Sequence, residues 1–255
     1  MTRAIIALVL VGLLGLVTAG LALASGGPPA SQKGKGPTKT PLQQEWIQEV
    51  FVDYVNPSHA GPGPHPDTES SSFKLTQGGI SWFSDGDVKY KITGAEGVTG
   101  GNTAIEAAIA TLDGFITTRT FTRDDGSPSS NPCGGVNTVR WAAIDGSGGI
   151  LATASVCRNV ATKEIRGFVV TFDTDETWSV TGASGLPDVE NVGAHEFGHM
   201  AGLNHVNGPK DGCLTMYRFA SDGETQKQTL GLGDKLGLDA LYSTGDTSSG
   251  PGCAS

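Results

Sequence analysis

Residues 195–205 of the chain read HEFGHMAGLNH, and this stretch carries most of the information about fold and chemistry. His195 and His199 are four residues apart, so on a helix both imidazoles project from the same face. Two neutral ring nitrogens in that arrangement can bind one zinc ion at about 2.0–2.1 Å. Glu196 follows the first histidine and lies slightly off this face. The spacing therefore predicts a zinc site on a helix.

Gly202 predicts how the stretch ends. Glycine readily adopts the left-handed conformation that stops a helix and turns the chain back, so His205 can supply a third ligand. Three protein ligands leave one position open to water, which is typical of a catalytic zinc. Such a metal activates the water and polarises a carbonyl, while Glu196 takes the proton and passes it to the leaving amine. We predict His195, His199 and His205 as ligands.

The motif stands out against the rest of the chain. Only five histidines are present, and three of them fall within these eleven residues. The alternative is that they are ordinary helix histidines beside a solvated Glu196. No G-x-S-x-G segment offers a nucleophilic serine instead.

Length and charge limit the remaining possibilities. The chain has 255 residues, which is enough for one full-sized domain with extra segments. Its formal net charge is −9. Nucleic-acid binding needs clustered Lys and Arg, and the lysines cluster only within residues 33–39. We therefore expect no nucleic-acid partner.

The N-terminus resembles an export signal. Arg3 precedes an apolar run over residues 4–24 that ends in ALA, a small-x-small cleavage site. We predict a signal peptide over residues 1–24 and a secreted, extracellular protein. The alternative is an uncleaved anchor on the outer face of the cell membrane, since about 20 residues span a bilayer.

The four cysteines agree with export, because an even number in an exported protein suggests two disulfides. Three pairings are possible. We favour the scheme in which one bond joins cysteines near one another in sequence and the other ties the tail to the domain. They are Cys133–Cys157 and Cys213–Cys253.

Composition and periodicity divide the chain further. Residues 25–79 are expected to form a linker and N-terminal extension rich in Pro, Gly and Ser, in which 46–54 fits either a helix or a strand. The domain is placed at 80–243, and 244–255 is a polar tail. The expected strands are 88–92, 136–144, 150–157 and 165–172. The expected helices are 102–117, 189–201 and 233–242. Asn102 or Thr103 is expected to cap the first helix, and Asp188 the second. This order predicts an α+β fold with one mixed sheet.

The full motif resembles that of the metzincins. Residues 214–217, LTMY, are similar to their Met-turn, in which Met216 would form an apolar floor under the metal. The resemblance implies a mixed, mostly parallel twisted sheet, an active-site helix and a C-terminal helix. Arg218 takes the place of the tyrosine that approaches the zinc in astacins and serralysins, so no tyrosine ligand is expected.

Three further segments resemble the matrixin branch, the matrix metalloproteinases and their microbial relatives: residues 145–154, DGSGGILATA, residues 172–178, FDTDETW, and the closing segment 233–242. The resemblance implies a calcium ion held by six oxygen ligands. These would be the carboxylates of Asp145, Asp173 and Glu176 and the carbonyls of Gly146, Gly148 and Ile150. The alternative is a simple turn with solvated acids.

The chain departs from the matrixin pattern in three places. Thr153 and Thr171 replace histidines that hold a second, structural zinc, so we predict one zinc. Arg218 also replaces a proline in the specificity-pocket wall. No cysteine between residue 24 and the domain can block the metal, and residues 25–79 are expected to be a stalk and extension, with a short propeptide as the alternative.

The resemblance also implies how substrate binds. Residues 150–154 would form an edge strand to which an extended polypeptide adds as a further strand. We predict a monomeric, secreted zinc endopeptidase with a polypeptide substrate, one zinc ion and a calcium ion as cofactors. A non-catalytic zinc-binding adhesion or recognition module and a hydrolase of non-peptide amides are the alternatives.

Overall fold

A computed structural model describes residues 45–55, 70–83, 86–124, 126, 130–246 and 248. The chain divides into two units, Met1–Leu42 and Gln43–Ser255. The expected signal peptide, most of the expected linker, and Cys253 lie outside the described residues. Among the residues that are described, no helix is both long enough and apolar enough to cross a membrane.

Within the described residues, seven strands form one mixed sheet in the order β3-β2-β4-β6-β5-β1-β7. Strand β5 runs antiparallel to both of its neighbours, and all other pairings are parallel. The strands are β1 (Trp46–Val55), β2 (Gly86–Thr93), β3 (Arg119–Arg123), β4 (Asn137–Ala142), β5 (Ile150–Asn159), β6 (Ile165–Asp173) and β7 (Phe219–Ala220). The helices are α1 (Gly101–Asp113), α2 (Val189–Met200) and α3 (Leu232–Tyr242). This is the α+β architecture expected from the sequence.

Strand β6 lies in the interior of the sheet and is buried on both faces, as its nearly continuous apolar sequence predicts. Phe172 of this strand packs against Trp141 and Trp178. Helix α2 packs closely against Ala108 of α1 and against the Phe172 ring, because Gly193 of α2 has no side chain to keep them apart. The sheet and α1 thereby hold α2 in the core.

The expected start of α1 is wrong in detail. The helix begins at Gly101, and its N-cap is Gly100 in a left-handed conformation, without a side-chain cap. Asn102 does not cap the helix, because its side chain accepts a hydrogen bond from Trp141 Nε1 at 2.9 Å. A tertiary contact therefore replaces the local capping interaction.

The expected edge position of β5 is also wrong. Strand β1 pairs with β5 from Trp46↔Asn159 to Tyr54↔Ile150. It lies upstream of the boundary placed at residue 80, in the segment whose sequence fits either a helix or a strand. Pairing with β5 selects the strand, because it satisfies the backbone groups along the exposed side of β5.

The disulfide between Cys133 and Cys157 is confirmed, and it joins a short 3-10 turn to β5. Cys213 is buried, and its predicted partner, Cys253, lies outside the described residues.

Candidate active site

Helix α2 carries the first two histidines and has defined ends. Asp188 caps its N-terminus, and its carboxylate accepts a hydrogen bond from the Asn191 amide at 3.0 Å. At the other end, Trp82 Nε1 and Tyr242 Oη donate to the carbonyls of Met200 and Ala201 at 3.2 and 2.8 Å. Both ends of the helix are thus fixed by side chains from elsewhere in the fold.

Gly202 turns the chain after the helix, as the sequence predicts. Its φ is +99°, and a β carbon there would overlap the carbonyl oxygen of Ile80. Both the conformation and the close approach require glycine. The turn returns the chain so that His205 faces the two helix histidines.

The three predicted ligands converge. Nε2 of His205 lies 3.0 Å from Nε2 of His199 and 3.1 Å from Nε2 of His195. Three ring nitrogens of a tetrahedral zinc site lie about 3.4 Å apart when each bond is about 2.1 Å. Among the described residues, this is the group of side chains placed to hold a metal ion. The donor set and its spacing fit zinc.

The opposite ring nitrogens fix the orientation of two of these histidines. His195 Nδ1 lies 2.6 Å from the Thr215 carbonyl oxygen, and His199 Nδ1 lies 3.0 Å from that of Leu203. A carbonyl only accepts, so each Nδ1 carries the proton and each Nε2 is free for a metal. Burial and then the charges of neighbouring histidines hold the pKa of His195 and His199 well below the usual value. Both imidazoles are therefore neutral, as metal ligands must be.

Glu196 lies inside the site. It is fully buried, and among the described residues neither carboxylate oxygen has a hydrogen-bond partner. Burial raises the pKa of Glu196 well above its usual value, the charge of Asp53 raises it further, and Lys227 opposes the shift. A buried carboxylate with free oxygens beside three histidines is suited to hold and transfer a proton.

Met216 lies under the helix, as expected for a Met-turn. The turn is held by Asp234 of α3, whose carboxylate accepts hydrogen bonds from the amides of Thr215 at 2.7 Å, Met216 at 3.1 Å and Gly231 at 3.0 Å. The carbonyl of Thr215 in turn faces His195. Helix α3 thereby positions His195, a predicted metal ligand, through the turn.

Sequence analysis missed two charged residues of the site. Lys227 is fully buried, and its ammonium donates to the carbonyls of Tyr217 at 3.0 Å and Phe219 at 2.5 Å, with Glu224 3.8 Å away. Asp53 is fully buried as well, and burial raises its pKa to about 7. Neither residue has a motif around it, so no signal in the sequence marks them.

The loop expected to bind calcium is stabilised internally. Asp173 accepts hydrogen bonds from the amides of Ile144 and Asp145, each at 3.2 Å. Asp145 accepts from the Ile150 amide at 3.0 Å, and Glu176 accepts from those of Gly148 and Gly149. The structure brings the three predicted acids together around one loop. Each carboxylate there already accepts hydrogen bonds from backbone amides, which leaves part of its capacity as an acceptor for another partner.

Thr153 and Thr171 are direct cross-strand partners on β5 and β6. Arg140 Nε donates to Thr171 Oγ1 at 2.9 Å. A guanidinium at this place disfavours a second metal cation. Arg218, the other departure from the matrixin pattern, lies over the Phe219 ring, with its guanidinium carbon 4.7 Å from the ring centroid.

The fold and the three-histidine cluster resemble those of the metzincin class of zinc peptidases. Within it, residues 136–243 match the family model described as matrixin. Over this region the chain is similar to the matrixins, which confirms the resemblance seen in the sequence.

Individual relatives agree with this placement. Stromelysin-3 of Mus musculus is 37% identical over 99 residues, which cover 39% of this chain and 18% of that protein. Matrix metalloproteinase-18 of Xenopus laevis is 48% identical over 99 residues, 39% of this chain and 19% of the relative. Neutrophil collagenase of Homo sapiens is 41% identical over 71 residues, 28% and 14% of the two chains. The similarity thus spans about a fifth of the length of these relatives or less.

Proposed function

We propose that this chain is a secreted, zinc-dependent endopeptidase that hydrolyses peptide bonds of extended polypeptides. The observation that carries the proposal is the convergence of three histidine Nε2 atoms beside a buried glutamate with two free oxygens. His195, His199 and His205 would hold the zinc, and Glu196 would be the catalytic base and acid.

Each residue has a distinct role in the proposed reaction. When bound, zinc acts as a Lewis acid that polarises the scissile carbonyl and lowers the pKa of a water molecule. Glu196 receives the proton of the attacking water on a carboxylate oxygen and delivers it to the leaving amine nitrogen. Its raised pKa suits this exchange, because a more basic carboxylate accepts a proton more readily. Met216 and Asp234 keep the ligands in place.

Export and the metal content belong to the same proposal. The apolar N-terminal run supports secretion with a cleaved signal over residues 1–24, and the Cys133–Cys157 disulfide supports an oxidising compartment. Arg140 beside Thr171 supports a single zinc. We also propose a calcium ion at Asp145, Asp173 and Glu176, with the carbonyls of Gly146, Gly148 and Ile150, and a monomeric protein.

The test measures cleavage of unfolded casein by the purified chain, with and without a chelator and after zinc is restored. Glu196→Gln is the inactive comparison, and Glu190→Gln on the same helix is its matched control. We expect chelator-sensitive, Glu196-dependent cleavage and a zinc-to-protein ratio near one. Zinc binding without Glu196-dependent cleavage would favour a non-catalytic module.

The calcium site is tested by thermal unfolding. We expect calcium to raise the melting temperature of the chain but not of Glu176→Gln, because a ligand that binds only the folded state stabilises it. Equal curves with and without calcium would favour a simple turn.

A further inference from the structure

The three histidines of the site are not equally accessible. His195 and His199 are fully buried, whereas His205 is only partly buried. A molecule that approaches the cluster from solvent therefore meets His205 first. The side chains around this histidine consequently bear on which substrates can bind at the site.

Two segments of the chain hold His205 from either side. Before it, the Asn204 amide donates to the Lys74 carbonyl at 2.7 Å. After it, the Arg218 amide donates to the Val206 carbonyl at 3.2 Å. Lys74 and Arg218 are thus each hydrogen-bonded to a direct neighbour of His205, although they are far apart in sequence.

Both of these flanking residues are positively charged and exposed. Burial first, and then the charges of Arg218, Lys227 and Lys74, lower the pKa of His205 to about 4, so all three charges lie near this ring. Lys227 is fully buried and donates to two carbonyl oxygens. Of these three cations, Lys74 and Arg218 are therefore the two that a substrate can reach.

The two exposed cations are not neutralised by the described part of the chain. Within it, neither has a carboxylate at ion-pair distance. The guanidinium carbon of Arg218 lies 4.7 Å from the centroid of the Phe219 ring. A guanidinium stacked in this way keeps its N–H groups at its edge, where they match the two oxygens of a carboxylate.

The acids close to the site lie within the fold instead. Glu196, Asp53 and Glu224 are all buried, and Glu224 lies 3.8 Å from the ammonium of Lys227. The formal net charge of the whole chain is −9, so its overall field does not attract acidic molecules. The positive surface beside His205 is therefore a local feature, suited to a specific contact.

We propose that Lys74 and Arg218 form a carboxylate-binding subsite beside His205, and that the chain prefers polypeptides with an aspartate or glutamate side chain close to the scissile bond. This inference rests on the proposed function and names a substrate class for it. Arg218 offers paired N–H donors to the carboxylate, and the Lys74 ammonium donates from the other flank. Both contacts favour a carboxylate over the neutral amide of the same size.

The test uses the zinc-loaded full chain and peptides based on one casein segment. The peptides form pairs that differ in a single residue, glutamate or glutamine, placed in turn at each position of the segment. Both ends are blocked, so that no terminal carboxylate takes part. At a position close to the cleaved bond, we expect kcat/KM for the glutamate peptide to exceed that for the glutamine peptide by about tenfold.

Variants connect this preference to the two cations. Lys74→Gln and Arg218→Gln should each lower the glutamate-to-glutamine ratio, and the double variant should bring it close to one. Arg218→Glu should make a lysine peptide a better substrate than the glutamate peptide. Lys89→Gln is the control, because it removes an exposed charge from β2 that does not act on His205. A ratio measured within one protein does not depend on how much of a variant folds.

The outcomes separate this inference from the proposed function. Equal, Glu196-dependent cleavage of the paired peptides would overturn the inference and leave the proposed function intact. A ratio that the double variant keeps would overturn it as well, and so would a preference seen only with a free C-terminal carboxylate. If no peptide is cleaved, fluorescence anisotropy of labelled peptides decides. Tighter binding of the glutamate peptide that the double variant loses would support the subsite without the activity, and equal binding would overturn it.

Discussion

Gly198 of α2 lies directly against Met216 of the Met-turn, so closely that a β carbon on Gly198 would overlap the methionine sulfur. The two residues are eighteen positions apart in sequence, and neither is a metal ligand. Their contact lets the turn approach the helix between its two histidines. The apolar floor of the site therefore depends on a residue without a side chain.

This contact gives the first prediction, for Gly198→Ala. Overpacking at the helix should displace Met216 and lower the free energy of unfolding by about 1–3 kcal/mol. Urea unfolding of the zinc-loaded protein measures the effect. Gly134→Ala is the control, because a β carbon there meets nothing within 4 Å. Equal loss of stability in the two variants would contradict the importance of this contact.

The second prediction concerns the general base. Glu196→Gln keeps the size of the side chain but cannot accept a proton, so casein cleavage should fall by about 10²–10⁴-fold. Zinc content should stay unchanged, since Glu196 is not among the converging ligands. Cleavage by Glu196→Gln at the rate of the original chain would contradict the role of Glu196 as the general base.

The third prediction concerns the disulfide. Cys133 and Cys157 are 24 residues apart in sequence, and closing a loop of this size restricts the unfolded chain. Replacing both by alanine should lower the free energy of unfolding by roughly 2–4 kcal/mol. Urea unfolding without reductant measures the loss. A change below about 1 kcal/mol would show that the native fold stabilises this region without the bond.

The fourth prediction follows from Asp234. Burial raises its pKa from 3.8 to about 6, although three backbone amides oppose the shift. The folded protein thus holds this proton more tightly than the unfolded chain. The stability that the protonated group contributes is complete below about pH 4 and is lost as pH rises to about 6. The expected loss is about 3 kcal/mol, from a shift of about two units.

Asp234→Asn does not titrate and provides the comparison. The variant is expected to be less stable throughout, because its amide nitrogen cannot accept from backbone N–H groups. The difference between the two proteins should nevertheless shrink as pH rises from 4 to 6. Unfolding curves at several pH values measure it, and parallel pH profiles would contradict the raised pKa.

The convergence of the three histidines was predictable from sequence because it depends on local geometry. The i, i+4 spacing of His195 and His199 places both rings on one face of any helix, and Gly202 provides a turn that few other residues allow. The ends of α2 were likewise predictable, since Asp188 caps through its own carboxylate. Where a local rule competed with a tertiary contact, as at Asn102, the tertiary contact prevailed.

Sequence alone thus determined the chemistry of the site: three histidines, a glutamate and a methionine at spacings that local backbone geometry brings together. Tertiary structure decided what shares the site with them. The apolar pattern of β1 fits a helix or a strand, and only pairing with β5 and β7 makes it a strand whose Phe51 packs on His199. Asp53 and Lys227 reach the site from opposite ends of the domain sequence, and their burial depends on long-range packing that no local pattern encodes.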